Sequence, residues 1–200
     1  MNNFTPIEIH PDAHLALEPI LPLFEWIGPR WDKALTLYTL ARSCERPIIE
    51  IGTYHGLGTI ALALGARDGL GAHVYTVDPF VDYTGWIGDH YDEEDLIIFE
   101  DNVSELGLAR DITLLRDSSE NVVHSWTEPY DLLFWDIGGK RLIDDYMDWY
   151  IHCAPGGLFA IKDLRTWGFG LQNVIDHALD NGFTQSVSNP KGTIWTLRKD

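Results

Sequence analysis

Features that would define several other classes of protein are scarce in this chain of 200 residues. Only two cysteines are present, Cys44 and Cys153, which excludes a disulfide framework. No uninterrupted apolar run reaches the roughly 20 residues that a membrane-spanning helix needs, so no membrane partner is expected. The first residues also lack a basic stretch leading into an apolar one, which predicts no secretory signal and a cytoplasmic location.

Basic residues are few as well. The chain has 14 lysines and arginines against 31 aspartates and glutamates, and its formal net charge is -17. Such a chain repels phosphate backbones and has no basic stripe to release counterions, which predicts that nucleic acid is not a partner. The acidity itself is typical of a well-solvated surface.

What the chain does have is an alternation of short apolar runs with longer amphipathic ones from Pro47 onward, which is typical of βα units around a mainly parallel sheet. Strands are predicted to begin at Pro47, His73, Asp111, Tyr130 and Leu158. Helices are predicted over residues 58–66, 93–106, 118–126, 142–153 and 171–181. The last segments, FTQSVSN and GTIWTLRK, are typical of an antiparallel hairpin joined by residues 189–192.

These elements predict a single domain over residues 1–200 with a doubly wound, Rossmann-like α/β fold. Residues 47–200 form its core, and residues 1–46, rich in proline and with one helix over 31–44, form an N-terminal helical cover. A homodimer through this cover stays open, because core packing explains the same aromatic and proline residues equally well.

The most informative stretch is IIEIGTYHGLGT, residues 48–59, a strand that runs through a glycine-bearing turn into a helix. Glycines at 52, 56 and 58 permit a sharp turn and a close approach of a ligand, while the helix N-terminus offers unpaired N–H groups. Asp78 ends the next strand, 20 residues after Gly58, where an acidic side chain accepts hydrogen bonds from ribose hydroxyls. A nucleotide-like cofactor is therefore predicted.

The same glycine spacing fits short-chain dehydrogenases that bind NAD(P). Those enzymes need a tyrosine with a lysine four residues later, and none of the eight tyrosines here has one. Glu50 also lies inside the strand, two residues before the first glycine, where an NAD site is usually apolar or small. A carboxylate there favours a cationic ligand instead.

These residues resemble the first motif of the class I S-adenosylmethionine-dependent methyltransferases, in particular the small O-methyltransferases, which reads E-I-G-T-x-x-G-x-[SG]-T. The resemblance runs from Pro47 to the C-terminus and implies a seven-stranded sheet with one antiparallel strand, and S-adenosylmethionine as cofactor. It implies that Asp78 holds the ribose, and that Asp117 and Ser118 cap the adenine. The residues predicted to bind the cofactor are Glu50, Gly52, Thr53, Tyr54, Gly56, Gly58, Asp78, Asp117, Ser118 and Asp136.

Methyl transfer from a sulfonium needs mainly alignment, but a hydroxyl acceptor must still lose its proton to a base or beside a metal. Asp136, at the end of the fourth strand, is the first catalytic candidate, and Asp163, at the end of the fifth, could share a divalent cation with it. The metal-binding branch that these positions resemble carries D-G-D-H and H-D there, whereas this chain has DIGG at 136–139 and a lysine at 162, so metal dependence stays open. Lys140 or Lys162 is the alternative proton relay.

Two aromatic segments, residues 80–86 and 166–170, are predicted either to wall an acceptor pocket or to pack against the cover. The leading hypothesis is methyl transfer to a hydroxyl of a small molecule, such as a sugar or a phenol. One alternative is non-methyl chemistry on the same cofactor, such as its cleavage or the transfer of another group. A non-catalytic cofactor-binding module is the other.

Overall fold

The computed structural model describes residues 7–24, 28–84, 90–137, 141–162, 170–186 and 194–200. Its strands are β1 (Ile48–Ile51), β2 (Val74–Val77), β3 (Tyr83–Thr84), β4 (His90–Tyr91), β5 (Ile112–Leu115), β6 (Tyr130–Trp135), β7 (Cys153–Lys162), β8 (Phe183–Ser186) and β9 (Ile194–Lys199). Its α-helices are α1 (Ala13–Ala16), α2 (Trp31–Ala41), α3 (Leu57–Arg67), α4 (Glu93–Glu105), α5 (Ser119–Ser125), α6 (Leu142–Trp149) and α7 (Leu171–Asp180). Short 3₁₀ helices cover Glu18–Leu23, Gly28–Arg30 and Tyr150–His152.

Seven strands form one sheet in the order β5-β2-β1-β6-β7-β9-β8. The first five are mutually parallel, and β9 runs antiparallel between β7 and β8. The predicted fold is therefore confirmed, including the antiparallel pair at the C-terminal end. The strand order reverses between β1 and β6, and a crevice at such a reversal is where doubly wound sheets bind ligands.

Both faces of the sheet are covered, which is why all four residues of β1 are buried. Ile48 faces a core that includes α1 to α4, whereas Ile49 and Ile51 face a second core under α5, α6 and α7. The N-terminal residues belong to the first core, with α2 packed along α3. The contact is so close that a side chain at Gly65 would collide with the backbone of Tyr38. The N-terminal segment thus covers one face of the sheet, as the sequence predicts.

Two details differ from the expectation. The fifth parallel strand begins at Cys153, five residues before the predicted start. Cys153 pairs with Tyr130, and Leu158 pairs with Leu132, so residues 154–157 bulge from the strand between these two pairs. A small antiparallel pair, β3 with β4, was not predicted, and its first strand lies within the aromatic segment that begins at Phe80. In the described residues, no helix is long and apolar enough to span a membrane. The predicted junction of the final hairpin, residues 189–192, lies outside them.

Candidate active site

The carboxyl ends of the five parallel strands form one straight edge. The last paired residues are in register from strand to strand, and they are Leu115, Val77, Ile51, Trp135 and Ile161. The residues that come next along each strand therefore form a row at this edge, and they are Arg116, Asp78, Gly52, Asp136 and Lys162. Since neighbouring strands lie about 4.8 Å apart, residues far apart in the sequence become neighbours here.

Gly52 stands at the centre of this row, where the strand order reverses. Its φ is +95°, and a side chain on it would approach Ile137 Cγ2 to 2.6 Å and the carbonyl oxygen of Asp136 to 3.0 Å. The backbone N–H of Asp136 donates to the carbonyl oxygen of Ile51 at 2.8 Å. Glycine at position 52 therefore lets the end of β6 lie directly against the turn after β1.

Asp78 holds this turn through main-chain hydrogen bonds. Its Oδ2 accepts from the N–H of Thr53 at 2.9 Å and from that of Tyr54 at 3.3 Å, while Oδ1 accepts from the N–H of Phe80 at 3.0 Å. The carboxylate is half-buried and stands at the sheet edge beside Tyr54, which is 39% exposed. This position is compatible with the predicted ribose contact, which stays a prediction.

Glu50 lies beneath the turn and is buried. Thr59 and Thr76 donate hydroxyl hydrogen bonds to its Oε2, the second over 3.0 Å, and Oε1 has no hydrogen-bond partner in the described part of the chain. A side chain at Gly58 would collide with this carboxylate, so glycine is required there for the acid to fit. Burial raises the pKa of Glu50 to about 8, against the opposing effects of Thr59 and Lys33.

The other residues of the turn are tied to neighbouring elements. Thr53 is buried, with its Oγ1 2.5 Å from that of Thr76, and Gly56 precedes α3 so close to Phe99 that a side chain would approach that ring to 2.7 Å. His55 Nε2 lies 2.7 Å from Asp95 Oδ1 on α4, and its ring stacks on Tyr54 with centroids 3.7 Å apart. The sequence pattern assigned no role to His55, yet it fastens the turn to α4.

Asp117 and Ser118 lie after β5, at the outer end of the edge. Asp117 Oδ1 accepts from Asn121 Nδ2 at 2.8 Å and from the N–H of Ser118 at 2.7 Å, and these two bonds lower the pKa of Asp117. The Ser118 side chain caps the N-terminus of α5. The structure thus gives Ser118 a capping role and ties Asp117 to Ser118 and Asn121, and the predicted contact of Asp117 and Ser118 with adenine remains a prediction.

On the other side of Gly52, Asp136 lies between two lysines. Lys33 Nζ is 2.7 Å from Asp136 Oδ2, and Lys162 Nζ is 2.5 Å from Asp136 Oδ1. The side chains of Lys33 and Asp136 are 9% and 8% exposed, whereas that of Lys162 is 33% exposed. Burial alone would raise the pKa of Asp136, but the attraction of Lys162 and Lys33 lowers it. We call these three residues the lysine–aspartate cluster.

Sequence reasoning placed Asp136 and Lys162 near the site but missed Lys33, which comes from α2 in the N-terminal cover. Burial lowers the pKa of Lys33, although Asp136 opposes this effect. A signal was available, because Lys33 shares one helical stripe with the buried residues Leu37 and Ala41. A lysine inside an apolar stripe needs a buried partner of opposite charge.

Some predicted residues fall outside the description. The described residues do not include Lys140 and Asp163, which were proposed for catalysis. They also do not include residues 85–86 and 166–169 of the aromatic segments. Among the residues that are described, no group of three or more His, Cys, Asp or Glu side chains is arranged to hold a metal ion.

Comparison with known proteins now decides the family. Residues 49–164, more than half of the chain, match a family model described as a methyltransferase domain. This chain belongs to the methyltransferase domain family. The recognition made from the glycine motif is thereby confirmed, and the row of edge residues found above belongs to a methyltransferase domain.

Solved structures share the fold of this methyltransferase domain at low sequence identity. The S-adenosylhomocysteine-bound methyltransferase PaMTH1 of Podospora anserina is 14% identical, with a TM-score of 0.71 over 99% of this chain and 91% of that one. An O-methyltransferase of Bacillus cereus in complex with S-adenosylhomocysteine is 17% identical, with a TM-score of 0.67 over 93% and 91%. An rRNA methylase of Streptococcus thermophilus is 18% identical, with a TM-score of 0.56 over 86% and 96%. No curated protein sequence matches the chain.

Proposed function

We propose that this methyltransferase uses S-adenosylmethionine to methylate a hydroxyl group of a small molecule. The observation that carries the proposal is the contact between the turn after β1 and the end of β6. This contact sets Asp78 and the lysine–aspartate cluster on either side of Gly52 along one edge. A cofactor held on one side would present its methyl group toward acceptor-binding groups on the other.

The residues on the Asp78 side fit this cofactor. Its methionine portion carries an ammonium and a sulfonium, and the half-buried carboxylate of Asp78 lies at the surface of the turn. The buried Glu50 lies beneath, and its Oε1 lacks a hydrogen-bond partner in the described residues. Asp117 supplies another carboxylate at the outer end of the edge, where the adenine is predicted to lie. When bound, the cofactor supplies a methyl group on a positively charged sulfur that leaves as a neutral thioether. The solved structures with S-adenosylhomocysteine support this choice of cofactor.

The acceptor is the less constrained half of the proposal. Relatives of this fold include an O-methyltransferase and an rRNA methylase, so the fold alone does not select an acceptor. A net charge of -17 disfavours a polyanionic acceptor such as RNA. The ammonium group of Lys162, which is one-third exposed at this edge, favours an acceptor that carries a polar oxygen atom.

The proposal is tested by incubating the purified chain with S-adenosylmethionine and a panel of sugars and phenols. S-adenosylhomocysteine and a methylated product should form together in equal amounts. Asp78→Ala should greatly reduce both, whereas the control Asp101→Ala, on the exposed side of α4, should leave them unchanged. Breakdown of the cofactor without any acceptor would favour non-methyl chemistry. Tight binding without turnover would favour a non-catalytic module.

A further inference from the structure

One buried acid lies outside the groups described above. Asp145, in the first turn of α6, has a side chain with no exposed surface. Trp135, the last residue of β6, donates its indole N–H to Asp145 Oδ2 at 3.0 Å. Oδ1 is buried as well, and it accepts no hydrogen bond from the described residues. Arg141 Nη2 lies 3.9 Å from it. The carboxyl group is thus enclosed by the protein and tied to the end of β6.

The same carboxyl group is also tied to the start of α5. Ser119, the first residue of α5, makes a side-chain hydrogen bond with Asp145. Trp149, one turn further along α6, donates its indole N–H to Ser119 Oγ at 2.8 Å. Both Ser119 and Trp149 are buried. Two side chains of α6 therefore hold the first residue of α5, and one of the two, Asp145, also holds the end of β6.

These contacts join two strand ends that are not neighbours in the sheet. Two strands, β2 and β1, lie between β5 and β6, so the ends of β5 and β6 are about 14 Å apart. Asp117 follows β5 and precedes Ser119 by two residues. Asp78 and Gly52, which follow β2 and β1, lie between the two joined ends. The contacts of Asp145 thus set the width of the edge where the proposed function places the cofactor.

Stability does not explain an acid at position 145. Burial raises the pKa of Asp145, and the hydrogen bonds of Trp135 and Ser119 offset only part of this effect. The folded chain therefore disfavours the charged form, which costs stability as the pH rises above the ordinary pKa of an aspartate. An asparagine would accept the same hydrogen bond from Trp135 without a charge to bury. A role in the site accounts for the carboxyl group better.

We propose that Asp145 is a positioning residue, which fixes the turn after β5 so that Asp117 meets the adenine ring of the cofactor. This inference rests on the proposed function. The N–H of Ser118 and the side chain of Asn121 both donate to Asp117 Oδ1. Oδ2 of this exposed carboxylate can accept a hydrogen bond from the exocyclic amino group of adenine. Hypoxanthine carries an oxygen at that position, so the turn should distinguish the two bases.

The experiment compares two ligands that differ in the purine ring. S-adenosylhomocysteine and S-inosylhomocysteine, which has an oxygen in place of the amino group, are titrated calorimetrically into the full chain at pH 7. The wild type should bind the adenosyl compound at least about 10-fold more tightly, as expected for a hydrogen bond to a charged acceptor. In Asp145→Ala this ratio should fall below about 3-fold. Asp145→Asn, whose amide oxygen still accepts from Trp135, should keep the ratio, and so should the matched control Asp144→Ala, which changes the exposed neighbour on α6.

Ser119→Ala is a second and smaller change in the same contacts. It should also lower the ratio below about 3-fold, and urea unfolding shows whether each variant is folded. An unchanged ratio in folded Asp145→Ala, or in Ser119→Ala where Asp145→Ala does not fold, would overturn the inference and leave the proposed function intact. Equal binding of both ligands by the wild type, or an equal fall in Asp144→Ala, would do the same. Failure of S-adenosylhomocysteine to bind the wild type would instead overturn the proposed function, and this inference with it.

Discussion

The two sides of the sheet edge are built in different ways. On the side of β1, β2 and β5, the turn is held by main-chain N–H groups donating to Asp78, from residues 24 and 25 positions away. On the side of β6 and β7, the lysine–aspartate cluster depends on side-chain ion pairs, one of which joins residues 103 positions apart. The turn on the first side is marked by the glycine motif of residues 48–59, and the groups that hold it to Asp78 are neutral main-chain N–H groups. The second concentrates buried charge, so its residues should be more sensitive to substitution.

The largest expected effect is on the cluster side. Asp136→Asn leaves the buried ammonium of Lys33 without its counter-charge, and breaking a buried pair in this way costs about 3–5 kcal/mol. The free energy of unfolding in urea measures this loss. The double variant Lys33→Met with Asp136→Asn should recover more than half of it, since the charge that remains, on Lys162, is one-third exposed to solvent. A loss below about 1 kcal/mol in the single variant would mean that buried charge does not distinguish the two sides.

A smaller effect is expected on the Asp78 side. Gly58→Ala would place a methyl group against the carboxylate of Glu50 and should destabilise the chain by about 2 kcal/mol through overpacking. Gly28→Ala is the matched control, because a methyl group there meets no atom within 4 Å. Urea unfolding of both variants checks the difference. Equal stability of the two would show that the carboxylate of Glu50 moves aside without cost.

The pH dependence of stability sharpens the comparison for Glu50. Its pKa is raised to about 8 in the folded chain from an ordinary 4.5, so between these values the unfolded chain releases a proton that the folded chain keeps. Stability contributed by the protonated acid is therefore complete below pH 4.5 and is lost as the pH rises through 8. Between pH 7 and 8.5, Glu50→Gln should lose about 1.3 kcal/mol less than the wild type in urea unfolding. Parallel curves for the two proteins would contradict the raised pKa.

The smallest effect is expected at the contact between the turn and α4. His55→Asn removes the hydrogen bond to Asp95, which should cost about 1 kcal/mol in the free energy of unfolding. Asp95→Asn should cost somewhat more, because Asp95 also accepts from the N–H of Asp92 in the capping box of α4. The double variant should cost little more than Asp95→Asn alone, since both changes remove the same contact. Additive losses would mean that the two side chains act independently.

Local patterns in the sequence account for what was predicted correctly. The apolar runs from Ile48 and Tyr130 define strands, and the glycines of the turn indicate its conformation, because both signals depend on neighbouring residues. The pairing of Lys33 with Asp136 depends on how α2 docks on the sheet, which no local pattern specifies. The bulge after Cys153 and the contact between His55 and Asp95 likewise depend on packing across elements.

The central claim is that the cofactor binds at the sheet edge beside Asp78. Calorimetric titration with S-adenosylhomocysteine, S-adenosylmethionine and NAD tests it most directly, using the wild type, Asp78→Ala and the surface control Asp101→Ala, with urea unfolding to confirm that each variant is folded. Both adenosyl compounds should bind the wild type and the control, and affinity should fall about 10- to 100-fold in Asp78→Ala, as expected for losing hydrogen bonds to a charged group. Binding of NAD alone, or unchanged affinity in folded Asp78→Ala, would contradict the account.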